Sequence, residues 1–172
     1  QRGMLLDPGI PIPAEATAVH GITDEHVRGK PSLVDVAERF LAHVRAARVL
    51  VAYNWPFDAA ILAHNCPGWD EAIAGKVVLD PLVVVRFDTV GRYWPGAGRH
   101  QLASVFSRVV GDAAPGAAHR ASTDAVMAGR ILWALRQNLP ADEREASALI
   151  ERERKRQDAD HMAWKARKGT AK

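Results

Sequence analysis

Along this chain, apolar residues recur at helical spacing in several stretches and gather into short unbroken runs in others. The clearest helical stretch is SLVDVAERFLAHVRAA (32–47), in which Leu33, Val36, Ala37, Phe40, Leu41 and Val44 share one face. Ser32, followed three residues later by Asp35, predicts a capping-box start. RVLVAY (48–53) is continuously apolar, which predicts a strand buried on both sides, as in a parallel sheet. NWPFDAAILAHN (54–65) then reads as a helix, with Asn54 placed to cap it and Pro56 tolerated in its first turn. GKVVLD (75–80) predicts a second buried strand, and PLVVVRFDTV (81–90) a helix despite its valines. RHQLASVFSRVVG (99–111) is an amphipathic helix stopped by Gly111, with Leu102, Val105 and Phe106 on its core face.

The flanks are less periodic. GMLLDPG (3–9) predicts a short strand closed by a Pro-Gly turn, and residues 10–31 a loop holding one or two single-turn helices. DAAPGAA (112–118) reads as a flexible link into a long helix from near His119 to about Asn138, which Pro140 ends. From Asp142 onward the chain is helical by composition and dense in charge. It is only weakly amphipathic, through Ala148, Leu149, Met162 and Trp164. This divides the chain into a domain over 1–140 and a charged helical tail over 141–172. Strands that each feed a helix predict an α/β fold with a partly parallel sheet, and such sheets gather ligands at the carboxyl ends of their strands.

Composition narrows the class. The 172 residues, 48% of them hydrophobic, suffice for one sizeable core. The net charge of +3 does not by itself indicate a nucleic-acid binder. Most of the excess sits in Glu151–Lys172, where eight Lys or Arg face four Asp or Glu. That stretch reads as a solvated charged helix, with a phosphate-tracking arm as the sharper alternative. A lone cysteine, Cys66, excludes a disulfide framework and a cysteine-based zinc site, and suits a reducing cytoplasm. No apolar run approaches the roughly 20 residues that span a membrane. Without an initiator Met, the chain is expected to be processed, trimmed or a fragment.

Three residues stand out chemically. Asp58 falls in the first helical turn after the 48–53 strand, where the helix dipole alone would favour an acid. Asp124 sits among Ala121, Ala125, Val126 and Ala128, so its carboxylate is expected to face inward toward a partner or a metal. His119 and Asp124 would lie about 140° apart on one continuous helix, and converge only if His119 belongs to the entry turn.

These residues carry a resemblance. VAYNWPFDAAIL is similar to the second motif, N-x-x-F-D, of the DEDDh or DnaQ-like 3′–5′ exonucleases, and HRASTDA to their third, H-x-x-x-x-D. PIPAEATAVHGITDEHV resembles the segment ahead of the second motif in members akin to the DNA polymerase III epsilon subunit. The resemblance covers residues 4–138. It implies a ribonuclease H-like mixed sheet flanked by helices, with a charged C-terminal helix added. It also implies two divalent ions, Mg2+ or Mn2+, held by Asp58 and Asp124, with His119 as general base. Asn54 would contact substrate or cap its helix, and Phe57 would pack. Tyr53 stands where many relatives carry His. The substrate implied is the 3′ end of nucleic acid, DNA rather than RNA, with a polymerase subunit as a further partner and no membrane.

The family's first motif, D-x-E, has no counterpart here, and Asp7 is not a substitute. The chain is therefore expected to begin at the third strand, with the first two missing, and to be catalytically crippled as it stands. The alternative is a degenerate relative that binds a polymerase or nucleic acid without cleaving. QLASVF (101–106) faintly resembles a sliding-clamp motif, but its apolar residues fall on the core face. Trp69, Trp94 and Trp164 are expected to pack rather than to stack on bases.

Overall fold

The structure, a computed structural model, describes residues 3–113 and 121–169. It is a helix-rich α/β arrangement around a small parallel sheet. Strand β1 (Val49–Val51) pairs with β2 (Val77–Leu79) in the register Val49↔Val77, Leu50↔Val78 and Val51↔Leu79. Each strand feeds a helix, as the alternation predicts: α4 (Trp55–Asn65) follows β1, and α6 (Pro81–Val85) follows β2. Ahead of them lie two short helices, α1 (Ala14–His20) and α2 (Asp24–Val27), then α3 (Leu33–Ala46); α5 (Trp69–Ile73) links α4 to β2. After α6 come α7 (Leu102–Val110), α8 (Ala121–Leu135) with a 3-10 turn at Arg136–Asn138, and α9 (Glu143–Gly169). Among the described residues no helix is long and apolar enough to cross a membrane.

Local chemistry accounts for the helix boundaries. Ser32 Oγ accepts from Asp35 N at 3.2 Å, and Asp35 Oδ2 accepts from Ser32 N at 2.8 Å, completing the box that starts α3. Gly111 closes α7 in the left-handed region at φ 84°, its N–H donating to Ser107 O. The α3 face buries Ala37, Leu41 and Val44 against Cys66, Trp69 and Ala72, with Phe40 stacked on Trp69 at 6.1 Å. The larger core joins β2, α6, α7 and α8 through Val84, Val85, Val105, Phe106 and Ile131.

Three expectations need correction. GMLLDPG is not a strand. Strand geometry is held by a ladder, and this segment has one backbone bond to a distant residue, Asp7 N to Pro31 O at 3.0 Å. The turn after it is present: Asp7 Oδ1 accepts from Gly9 N, and Gly9 has φ 71°. Nor is β1 buried on both sides. Among the described residues it pairs only with β2, and Val51 is 37% exposed. The helix after β2 ends at Val85, and the chain proceeds in turns to Trp94.

The charged tail is bound to the domain over its first half. Ala146 and Ile150, one helical turn apart, enter the main core, whereas Ala148, Met162 and Trp164 stay exposed. Ser147 Oγ donates to Val78 O at 3.0 Å and accepts from Val78 N at 3.3 Å, so α9 takes over the edge of β2 that β1 leaves open. Further along, Gln157 donates to Val83 O at 3.0 Å. The helix expected from composition to be solvated is thus tied to the domain as far as Asp160, which Arg92 reaches at 2.6 Å.

Gly91 is where a side chain would not fit. A Cβ there would stand 2.7 Å from the Trp94 ring, and the Gly91 carbonyl also holds His100 Nε2 at 2.8 Å. Gly91→Ala should lower stability by about 1–3 kcal/mol through overpacking, read as a shifted urea midpoint with unchanged slope. Gly129→Ala, with open space around it in α8, should instead stabilise by about 0.5–1 kcal/mol. Equal effects at both positions would refute the close fit.

Candidate active site

The site grows from the end of β1. After Val51 the chain passes through Ala52 and Tyr53 and turns sharply at Asn54, whose φ of 68° and ψ of 51° are left-handed. Asparagine tolerates that conformation better than other chiral residues. Buried Asp80, at the carboxyl end of β2, holds the turn: its Oδ1 accepts from Asn54 N at 3.0 Å and its Oδ2 from Trp55 N at 2.9 Å. Oδ1 also accepts from Leu82 N at 2.9 Å, capping α6. Burial pushes the Asp80 carboxyl above its ordinary range, and these N–H groups, with Arg86 nearby, oppose that. α4 then starts at Trp55, with Pro56 in its first turn.

This geometry places Asp58, in the first turn of α4, on one wall of a cleft of about 510 Å3. Asp124, in the first turn of α8, lines the same cleft. Both carboxylates are half-buried. Burial pushes the Asp58 carboxyl upward, offset in part by its own backbone N–H. Among the described residues no Lys or Arg lines the cleft. Val51, Asn54, Phe57, Leu82 and His100 form the rest of its polar and apolar walls, with Ala121, Ala125 and Ala128 opposite.

Asp58, Asp124 and Asn54, the candidates from the motifs, thus line one cavity. His119 lies outside the described residues. Two roles change. Asn54 occupies the N-cap position in a left-handed turn, and its side chain makes no capping bond. Phe57 is not a packing residue: it is 62% exposed and lines the cleft.

Two groups in or under the site escaped the sequence reading. Asp80 looked like the end of a strand, since its partners at 54 and 55 lie far back in the chain. His100 looked like the start of a helix. Its imidazole lines the cleft, its backbone carbonyl accepts from Tyr53 Oη at 2.7 Å, and burial pulls its pKa down toward the neutral ring. Burial likewise raises the Tyr53 hydroxyl, keeping it a proton donor.

A half-buried carboxylate pair without a basic partner suits a hard cation. Among the described residues no group of three or more His, Cys, Asp or Glu could enclose an ion. Two carboxylates are nonetheless enough for ions such as Mg2+, which are commonly held by one or two carboxylates plus substrate phosphate oxygens. The donor set fits such a metal.

Comparison with known proteins places this cavity in context. A family model described as Exonuclease, of the RNase T type, matches residues 3–132. A DNA polymerase III subunit epsilon-like protein of Rhodobacter capsulatus is 42% identical over 79 residues, covering 46% of this chain. A PolC-type DNA polymerase III of Streptococcus thermophilus is 34% identical over 128 residues, covering 74% of this chain. The chain spans 10% and 8% of the lengths of these two relatives. Among solved structures, Exonuclease X in complex with 5′ overhanging duplex DNA superposes with a TM-score of 0.62 at 22% identity, over 86% of this chain and 79% of that one. The chain is a member of the DnaQ-like exonuclease family, folded as a ribonuclease H-like domain with a long C-terminal helix.

Proposed function

We propose that this protein hydrolyses the terminal phosphodiester at the 3′ end of DNA, using divalent cations held by Asp58 and Asp124. The observation that carries this reading is that both carboxylates, from two helices far apart in sequence, line one cleft without basic residues among those described. Bound Mg2+ or Mn2+, two ions in the reading taken from the motifs, would supply positive charge against the charge developing on the phosphoryl oxygens. Asp58 and Asp124 hold the cations with their oxygens. His119 takes the proton of the attacking water, a task for which an imidazole is matched near neutral pH. The Asn54 amide meets the terminal nucleotide by hydrogen bonding, and the exposed Phe57 ring offers its base an apolar wall. In this reading residues 1–140 form the nuclease domain, and residues 141–172 an appended helix. The relatives named as DNA polymerase III chains make a polymerase the protein partner to test, and the cytoplasm is the compartment in which buried Cys66 would stay reduced.

The experiment uses protein expressed from its full reading frame and a single DNA strand labelled at its 5′ end. With Mg2+ or Mn2+, labelled products should shorten stepwise from the unlabelled end, and chelation by EDTA should stop them. Immediate release of labelled mononucleotide would reverse the assigned polarity. Strand binding with no products in either metal would leave the non-cleaving module as the function.

A further inference from the structure

A second cleft, of about 710 Å3, lies between the 86–100 segment and the second half of α9. Arg86, Arg92 and Arg99 line it on one side, and His161 and Trp164 on the other. His100 lines both this cleft and the candidate active site, so the two adjoin at that residue. We infer that the second cleft is a binding track for a single DNA strand, with Arg86 and Arg99 on its phosphates and the stacked His161–Trp164 pair against a base. The inference rests on the nuclease reading for the choice of DNA, and on the geometry of the cleft for everything else.

Charge supports an anionic occupant. Two carboxylates, Asp158 and Asp160, also line the cleft, but both are engaged by arginines. Asp160 receives Arg92 at 2.6 Å and Arg156 at 3.8 Å, and Asp158 receives Arg154 at 3.3 Å. The guanidinium groups of Arg86 and Arg99 make no hydrogen bond or ion pair among the described residues, although Arg86 lies close enough to Asp80 to feel its charge. Two planar forks of five donors each thus face a cavity with nothing to receive them, and phosphodiester oxygens match that geometry.

The opposite wall supports a base. Trp164, 46% exposed, stacks on His161 with centroids 5.8 Å apart and planes 18° from parallel, so a pair of stacked rings lines the cleft. The Lys168 ammonium lies 4.6 Å from the Trp164 ring centroid, adding positive charge on that side. This wall is held in place rather than loose. Arg92 bridges Asp88 at 3.0 Å and Asp160, Arg156 reaches Asp88 at 3.6 Å, and Gln157 bonds the Val83 carbonyl. A platform of aromatic rings opposite free arginines is the arrangement that binds single strands without reading sequence.

The test is strand binding, measured without hydrolysis: fluorescence anisotropy of labelled oligothymidylate, in EDTA, across a salt series. Arg86→Gln with Arg99→Gln should flatten the dependence of log affinity on log salt by roughly 1.4, two single-strand phosphate contacts' worth. Trp164→Ala should weaken binding at least about fivefold. Arg48→Gln, an exposed arginine that lines neither cleft, should change nothing. Should the Arg86 substitution disturb folding by circular dichroism, Arg99→Gln and Trp164→Ala at exposed positions decide the matter. Unchanged affinity and salt slope in those variants overturns the inference. Binding that depends on these residues in a protein that cuts nothing upholds the track and sinks the nuclease reading. Cutting with binding indifferent to them sinks the track alone.

Discussion

Asp58→Asn and Asp124→Asn should each lower metal-dependent release of 3′-terminal nucleotides by about a thousandfold. Cations poised on a phosphoryl group contribute several kcal/mol to the transition state, and each 1.4 kcal/mol or so is a factor of ten in rate. Each substitution keeps the shape of the side chain while removing the negative charge that would hold the ion. Both side chains are half-buried and neither supports a described hydrogen-bond network, so the fold should survive. The second readout is therefore thermal: Mn2+ should raise the melting temperature of the parent protein and leave that of each variant unmoved, because an ion that no longer binds the native state no longer stabilises it. His119→Gln should cost about a hundred- to ten-thousandfold in rate, as loss of a general base does, while keeping the thermal response to metal. Parental rates in both aspartate variants would remove the site from this cleft.

Asp80→Ala should destabilise the protein by about 3 kcal/mol. The carboxylate is 3% exposed and receives three backbone N–H groups, from Asn54, Trp55 and Leu82. Alanine leaves all three without an acceptor. Asn54 also loses what holds its left-handed turn, so Asp58 at the start of α4 should shift and activity should fall with stability. Asp80→Asn separates the contributions: one amide oxygen can still serve Asn54 and Leu82, while its NH2 meets the Trp55 N–H donor to donor. Urea unfolding should rank the three proteins Asp, Asn, Ala, and hydrogen exchange at the Asn54 and Trp55 amides should accelerate in the same order. Equal stability in all three would mean that Asp80 is not the clasp described.

The difference between Asp58 and Asp80 shows what could be read from residues alone. Asp58 lies within a short motif, and its neighbours in sequence are its neighbours in space. Asp80 works through residues on the other strand's exit, a relation that no window of sequence contains. α3 was readable for the same local reason, since its apolar face and its Ser32–Asp35 box both lie within a few turns. GMLLDPG misled because an apolar run signals a willingness to pair and cannot say whether a partner strand lies alongside. Phe57 misled because burial was inferred from its side-chain type, whereas its place in the cleft wall leaves the ring exposed. In α9 the core residues Ala146 and Ile150 were masked by the charge around them, and their burial, with the exchange between the Ser147 hydroxyl and the Val78 backbone, shows which face turns inward.

That exchange bears on how the protein is handled at the bench. The match to the family model ends at residue 132, yet the sheet's outer border is sealed by a hydroxyl fifteen positions later. Cutting the gene at that boundary would strip the lining from a strand and uncover Leu79 and Val77, which share a core with Ala146 and Ile150. Expression plasmids for this protein should therefore carry the helix to its end.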